Sequence, residues 1–107
     1  MNIELNNKVC LVTGGDRGIG KAVAKALVES GARVAFDYRT REDLAQELVA
    51  EITAGGGEAR AFQADITDAD KVSTMVQAIH DEMGPIEVLV NNAGINRDHS
   101  FLKMTKE

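Results

Sequence analysis

Val9-Cys10-Leu11-Val12-Thr13-Gly14-Gly15-Asp16-Arg17-Gly18-Ile19-Gly20 is the stretch on which the reading of this 107-residue chain turns. Val9 to Val12 is a short, unbroken apolar run, as a parallel strand covered on both faces tends to be. After Gly18, the positions Ile19, Val23, Ala26, Leu27 and Ser30 recur at helical spacing, and Gly31 stands where a helix end favours a left-handed residue. The glycines therefore lie between a strand and a helix, and each has a mechanical purpose there. Gly14 bends the chain off the strand, Gly18 lets an anionic group such as a pyrophosphate approach the backbone, and Gly20 lets the helix pack closely on the sheet. Free amides at the positive end of the helix dipole would then receive the phosphate.

Working outward, Arg33 to Tyr38 forms a second strand. Leu44, Leu48 and Ile52 mark one face of a second helix, opened by a capping box of Thr40 and Asp43 and stopped by Gly55-Gly56-Gly57. Glu58 to Ala64 is a weaker third strand. Asp65 to Asp68 opens a helix whose stripe, Val72, Met75, Val76, Ile79 and Met83, ends at Gly84-Pro85. Ile86 to Val90 is a fourth strand, ending in Asn91-Asn92. This alternation predicts an α/β fold with a parallel sheet, right-handed crossovers and helices on both faces.

The chain has room for a single domain over 1–107, with 44% apolar residues and one proline. A net charge of -5, with Arg17, Arg39, Arg41 and Arg60 scattered among carboxylates, argues against nucleic acid or an anionic membrane as partner. Cys10 is the only cysteine and sits inside the first apolar run, so it reads as a small buried hydrophobe. His80 and His99 have no clustered partners and read as surface residues, so no metal site is expected. Met1 to Lys8 lacks the pattern of a secretory signal, and no apolar run reaches membrane-spanning length. The expected compartment is the cytoplasm.

Three motifs, in order and at the ends of the right strands, give the sequence a family likeness. They are Thr13-Gly14-x-x-x-Gly18-x-Gly20, the acidic Asp65 after the third strand, and Asn91-Asn92-Ala93-Gly94 after the fourth. In these the chain resembles the short-chain dehydrogenases/reductases. The resemblance implies the first half of a Rossmann-type sheet, with strand order 3-2-1-4. It implies dinucleotide contacts from Gly14, Asp16, Arg17, Gly18, Ile19 and Gly20 in the turn. Asp65 and Ile66 would flank the adenine, and Asn91, Ala93 and Gly94 would line the ribose and nicotinamide side. Asp65 could instead cap the third helix, a role also open to Asp68. Asn91 could tie the fourth strand to the first near Thr13, and could do so while binding ligand.

Cofactor choice in such folds depends on the end of the second strand, where an acidic side chain holds a ribose hydroxyl but repels a 2′-phosphate. The family's discriminating position falls on Tyr38; Asp37 comes one residue early, and strand alternation points it to the other face. Arg39 follows at once and Arg17 lies in the turn, so two guanidiniums could converge on a phosphate. The expectation is NADP(H). The alternative is that Arg39 and Arg41 are solvated charges paired with Glu42 and Asp43.

In the family a tyrosine supplies the proton and a lysine four residues later lowers its pKa. Here the only tyrosine is Tyr38, and four residues on stands Glu42, so no catalytic residue is assigned and the catalytic half is expected to be absent. Ser100 comes too early for the family's catalytic serine. The stretch Gly94-Ile95-Asn96-Arg97-Asp98, with Phe101-x-Lys103-Met104-Thr105 after it, resembles the 3-oxoacyl reductase branch and leans towards its acetoacetyl-coenzyme A reductases. Asn96 departs from the threonine usual there, and Phe101, Leu102 and Met104 could equally form the apolar face of a next helix. The resemblance implies NADPH-dependent reduction of a 3-oxoacyl thioester by a longer parent, in fatty acid or polyhydroxyalkanoate metabolism. The alternative is a half-Rossmann nucleotide-binding or folding module without turnover. With order 3-2-1-4 the strand 86–90 would have an open edge, through which the fragment would self-associate, or around which it would repack, unless its last helix folds over that edge.

Overall fold

Four parallel strands in the order β3-β2-β1-β4 form one sheet in the computed structural model, which describes residues 5–16 and 18–92. The strands are β1 (Val9–Thr13), β2 (Arg33–Tyr38), β3 (Glu58–Gln63) and β4 (Ile86–Asn91), joined by helices α1 (Gly18–Glu29), α2 (Glu42–Ala54) and α3 (Ala69–Met83). The expected half-Rossmann order is therefore the observed one, and β2 has the boundaries read from the sequence. β1 and β4 each run one residue further than expected, and β3 stops one short at Gln63.

Strand alternation divides the core into two layers. Cys10, Val12, Val34, Phe36 and Tyr38 point to one face and pack with Ala24 of α1 and Ala45, Leu48 and Ile52 of α2. Val9, Leu11 and Ala35 point to the other and meet Val72, Met75, Ile79 and Met83 of α3. β1, central and fully buried, is continuously apolar because both its faces are covered. Among the described residues β4 is the outermost strand on one side, and none of its side chains is fully buried.

Two local expectations are corrected. The apolar stripe of α1 does not include Ile19 and Ala26, which are exposed; Gly20 and Ala24 are the buried positions. Ile19 stands in the first turn, 74% exposed, next to the buried Gly20. Nor do Thr40 and Asp43 cap α2. Arg41 occupies the N-cap with no side-chain cap bond, and its guanidinium grips Asp43 through two bonds of 3.0 and 2.8 Å. α3 does have a side-chain cap: Asp68 accepts from the amides of Asp70 and Lys71. At the far end of the sheet Arg33 joins Glu58, its register partner on β3, and donates to the Met83 carbonyl at 2.8 Å. This ties the end of α3 to β2 and β3.

Among the described residues no helix is long and apolar enough to cross a membrane, and no group of His, Cys, Asp or Glu is placed to hold a metal ion.

Candidate functional site

The carboxyl ends of β1, β2 and β4 meet around the glycine turn. Thr13 and Asn91 are register partners, and the Thr13 hydroxyl donates to Asn91 Oδ1 at 3.1 Å. Asn91 thus does tie β4 to β1. One residue on, Asn92 Nδ2 donates to the Gly14 carbonyl at 3.4 Å. That carbonyl lies against the first turn of α1, so close that a Cβ on Gly20 would collide with it and stand 2.9 Å from Asn92 Nδ2. The close packing expected of Gly20 is therefore against the turn's own backbone.

Gly18 has a different reason to be glycine. Its φ is +61°, in the left-handed region, while a Cβ there would meet nothing within 4 Å among the described residues. The backbone is open on that side, as a close-approaching phosphate requires. α1 also has no acidic residue in its first turn, whereas α2 has Glu42 and Asp43, and α3 has Asp70 behind the Asp68 cap. The positive end of its dipole is thus not offset from within the helix. Ile19, beside Gly18, is 74% exposed. A single exposed apolar side chain means little alone, but here it borders the open backbone. Asp16 is buried within the turn.

At the end of β2 the structure separates what the sequence places together. Tyr38 is buried in the layer under α1 and α2, and burial pushes its hydroxyl pKa up. Arg39 is 70% exposed and pairs with Asp65 at 3.4 Å, not with Glu42 or Asp43; the expected partnership with Asp43 belongs to Arg41. Asp65 accepts from the Thr67 hydroxyl at 2.6 Å and the Thr67 amide at 3.0 Å, and these bonds hold its carboxyl below the usual range. It does not cap α3; Asp68 does. Ile66 beside it is half-buried. Arg17, Ala93 and Gly94, like Ser100 and His99, lie outside the described residues. His80 is exposed and Cys10 fully buried, as expected.

Asp37 is the residue that sequence reasoning set aside. Alternation does turn it away from Tyr38, but that face carries it beneath the glycine turn. It is buried, and its Oδ1 accepts from the Gly14 amide at 2.6 Å. Burial, with Asp16 and Asp65 nearby, outweighs that bond and raises its pKa to about 6. The signal was available: a carboxylate interrupting a strand that is otherwise apolar from Val34 to Tyr38.

A parallel half-sheet whose central strand feeds a glycine turn and a helix amino terminus defines the chain as the first half of a Rossmann-type domain. Residues 8–107 match the short chain dehydrogenase family, and the chain belongs to that family. It is 48% identical over 103 residues to a 3-oxoacyl-[acyl-carrier-protein] reductase of Synechocystis, spanning 96% of this chain and 42% of that one. It is 43% identical over 100 residues to an acetoacetyl-CoA reductase of Paracoccus denitrificans, spanning 94% of this chain and 39% of that one. Among solved structures, a short-chain dehydrogenase of Burkholderia cenocepacia in complex with NADP superimposes with a TM-score of 0.80 at 46% identity, covering 86% of this chain and 38% of that one. The chain thus spans about two-fifths of the length of these relatives.

Proposed function

We propose that this chain supplies the cofactor-binding half of a cytoplasmic NADPH-dependent reductase that converts a 3-oxoacyl thioester to the 3-hydroxyacyl thioester. The acyl group would be carried on acyl carrier protein or coenzyme A, in fatty acid or polyhydroxyalkanoate metabolism. The observation that carries the cofactor reading is the open backbone at Gly18, set at a helix amino terminus that holds no carboxylate in its first turn. The thioester reading rests on the reductases to which the chain is similar. When bound, the reduced nicotinamide would supply the hydride. The chain's own residues would seat the pyrophosphate on the turn between Gly14 and Gly20, with Asp16 and Ile19 beside it. Asp65 and Ile66 would border the adenine, and Asn91, Ala93 and Gly94 the nicotinamide side. Because these 107 residues hold no Tyr-x-x-x-Lys, the chain alone would bind without turnover.

Arg39, at the end of β2 beyond Tyr38, would meet the 2′-phosphate with Arg17. Its exposed, 3.4 Å pair with Asp65 is weak beside a charge-assisted bond to phosphate, so the guanidinium can exchange one partner for the other. Fluorescence titration with NADPH and NADH tests this. NADPH should bind more tightly, and Arg39→Ala should weaken NADPH by about tenfold while leaving NADH unchanged. Equal binding of the two cofactors, or no loss of NADPH in the variant, would sink the assignment.

The outer edge of β4 carries no strand among the described residues, and Val88, Leu89 and Val90 beside it are only half-buried. Such an edge templates further pairing, so the 107-residue chain should associate with itself there. Sedimentation velocity over a wide concentration range should show mass rising with concentration; a monomer throughout would count against it.

A further inference from the structure

Asp37 places a carboxylate in a largely apolar buried layer, where the other buried polar side chains described are Thr13 and Asp16. It lies 4% exposed on β2, and its Oδ1 receives the Gly14 amide at 2.6 Å. Gly14 is the residue at which the chain leaves β1, with φ at 66°, and its carbonyl is fixed by Asn92. Asp37 thus holds the amide of the same residue whose carbonyl, one peptide group on, abuts α1 at Gly20.

Among the described residues, the charges that raise the Asp37 pKa are two carboxylates, Asp16 from the turn and Asp65 from the segment after β3. The described guanidiniums nearby are engaged: Arg39 with Asp65, and Arg41 with Asp43, Arg41 also feeling Asp16. Arg17, in the turn, lies outside the described residues. A negative charge on Asp37 is therefore poorly solvated, has two carboxylates near it, and sits behind the backbone on which a pyrophosphate would rest.

Building on the dinucleotide reading above, we propose that Asp37 is the positioning residue of the glycine turn, that its carboxyl group holds Gly14 in either protonation state, and that its ionised form opposes a phosphate-bearing ligand. When the acid is protonated, the carbonyl oxygen still accepts from the Gly14 amide and the proton sits on the other oxygen. An anion seated on the turn favours that form, so binding takes up a proton and affinity falls as pH rises through about 6.

The test compares Asp37→Asn, which keeps the acceptor and removes the charge, with Asp37→Leu, which removes both. NADPH is titrated into each protein between pH 5 and 8. Its 2′-phosphate titrates in the same range, so the readout is the ratio of variant to wild-type Kd, in which the ligand's own titration cancels. Asp37→Asn should match wild type at pH 5 and bind about tenfold more tightly at pH 8; Asp37→Leu should bind more weakly throughout. Without cofactor, the urea midpoint of Asp37→Asn should exceed that of wild type at pH 8 and converge on it towards pH 4. A ratio that does not change with pH overturns the inference alone, as does an Asn variant that binds as weakly as Leu or unfolds at pH 8. Failure of wild type to bind either NADPH or NADH overturns the dinucleotide reading and the inference together.

Discussion

The ends of β1 and β2 lie side by side in the sheet, yet their sequences disclose their roles very unequally. At β1 the function belongs to the backbone: Gly14 turns the chain, Gly18 leaves the backbone open, and Gly20 makes room for the Gly14 carbonyl. Such demands are met by one residue type at fixed spacing, so the sequence pattern reveals them. At β2 three successive side chains go to three places. Asp37 passes beneath the turn, Tyr38 enters the opposite core layer, and Arg39 reaches solvent beside Asp65. Alternation gives the face of each, but what waits on that face is contributed by residues distant in the chain.

The comparison is tested most severely at the glycines. Gly20→Ala drives a methyl into the Gly14 carbonyl, a backbone atom that Asn92 helps to fix. Rotamer changes cannot relieve this, and we expect a loss of about 3 kcal/mol, the upper part of the range for overpacking, together with loss of NADPH binding. Gly18→Ala meets no atom of the described residues and suffers from its left-handed φ, costing roughly 1 kcal/mol. Its effect should fall instead on NADPH affinity. Urea denaturation and cofactor titration of the pair separate the two roles; similar midpoints would mean that Gly20 is not confined by the turn as the geometry requires.

A change of pH probes the β2 end without altering the glycines. Asp37 has its folded-state pKa raised to about 6 from 3.8, so the folded chain binds the proton more readily than the unfolded one. Its favourable contribution is complete below about 3.8 and is lost as pH rises through about 6. That sign is opposite to the usual carboxylate, and it distinguishes this strand end from the salt-bridged surface.

How far the sequence carried follows the same division. Element order comes from hydrophobic period and glycine placement, which are local properties, whereas strand order came with the family likeness, and the sequence left the cap of α3 open between Asp65 and Asp68. The position of Asn91 against Thr13 came only through family likeness, because it depends on the register of two strands 78 residues apart. Ile19 fits the helical period of α1 yet is exposed, because periodicity gives the spacing of a stripe and not which of its positions the sheet covers. Thr40 failed as a cap because Arg41 had captured Asp43, a choice between competing hydrogen bonds that residue type does not decide. Asp37 was passed over because its face was known and its neighbours were not.

Arg41 supplies the smallest effect and the sharpest control. It lies two residues beyond Arg39, but its guanidinium is committed to Asp43 at 2.8 Å, and that bond, the largest influence on the acid, holds the Asp43 carboxyl down at about 2. Both partners are exposed, so the pair adds little to stability. Arg41→Ala should leave the urea midpoint and NADPH affinity unchanged at pH 7, in contrast to Arg39→Ala. Its signature should appear in the titration of Asp43, followed by carboxyl carbon NMR, which should move from about 2 towards the ordinary carboxylate range. Asp43 is already ionised at neutral pH with or without its partner, which is why nothing changes there. If Arg41→Ala costs NADPH binding as much as Arg39→Ala does, the 2′-phosphate is being met by a diffuse cationic field. Arg39 would then have no special place, and the end of β2 would select by its net cationic charge, with no single side chain in a defined position.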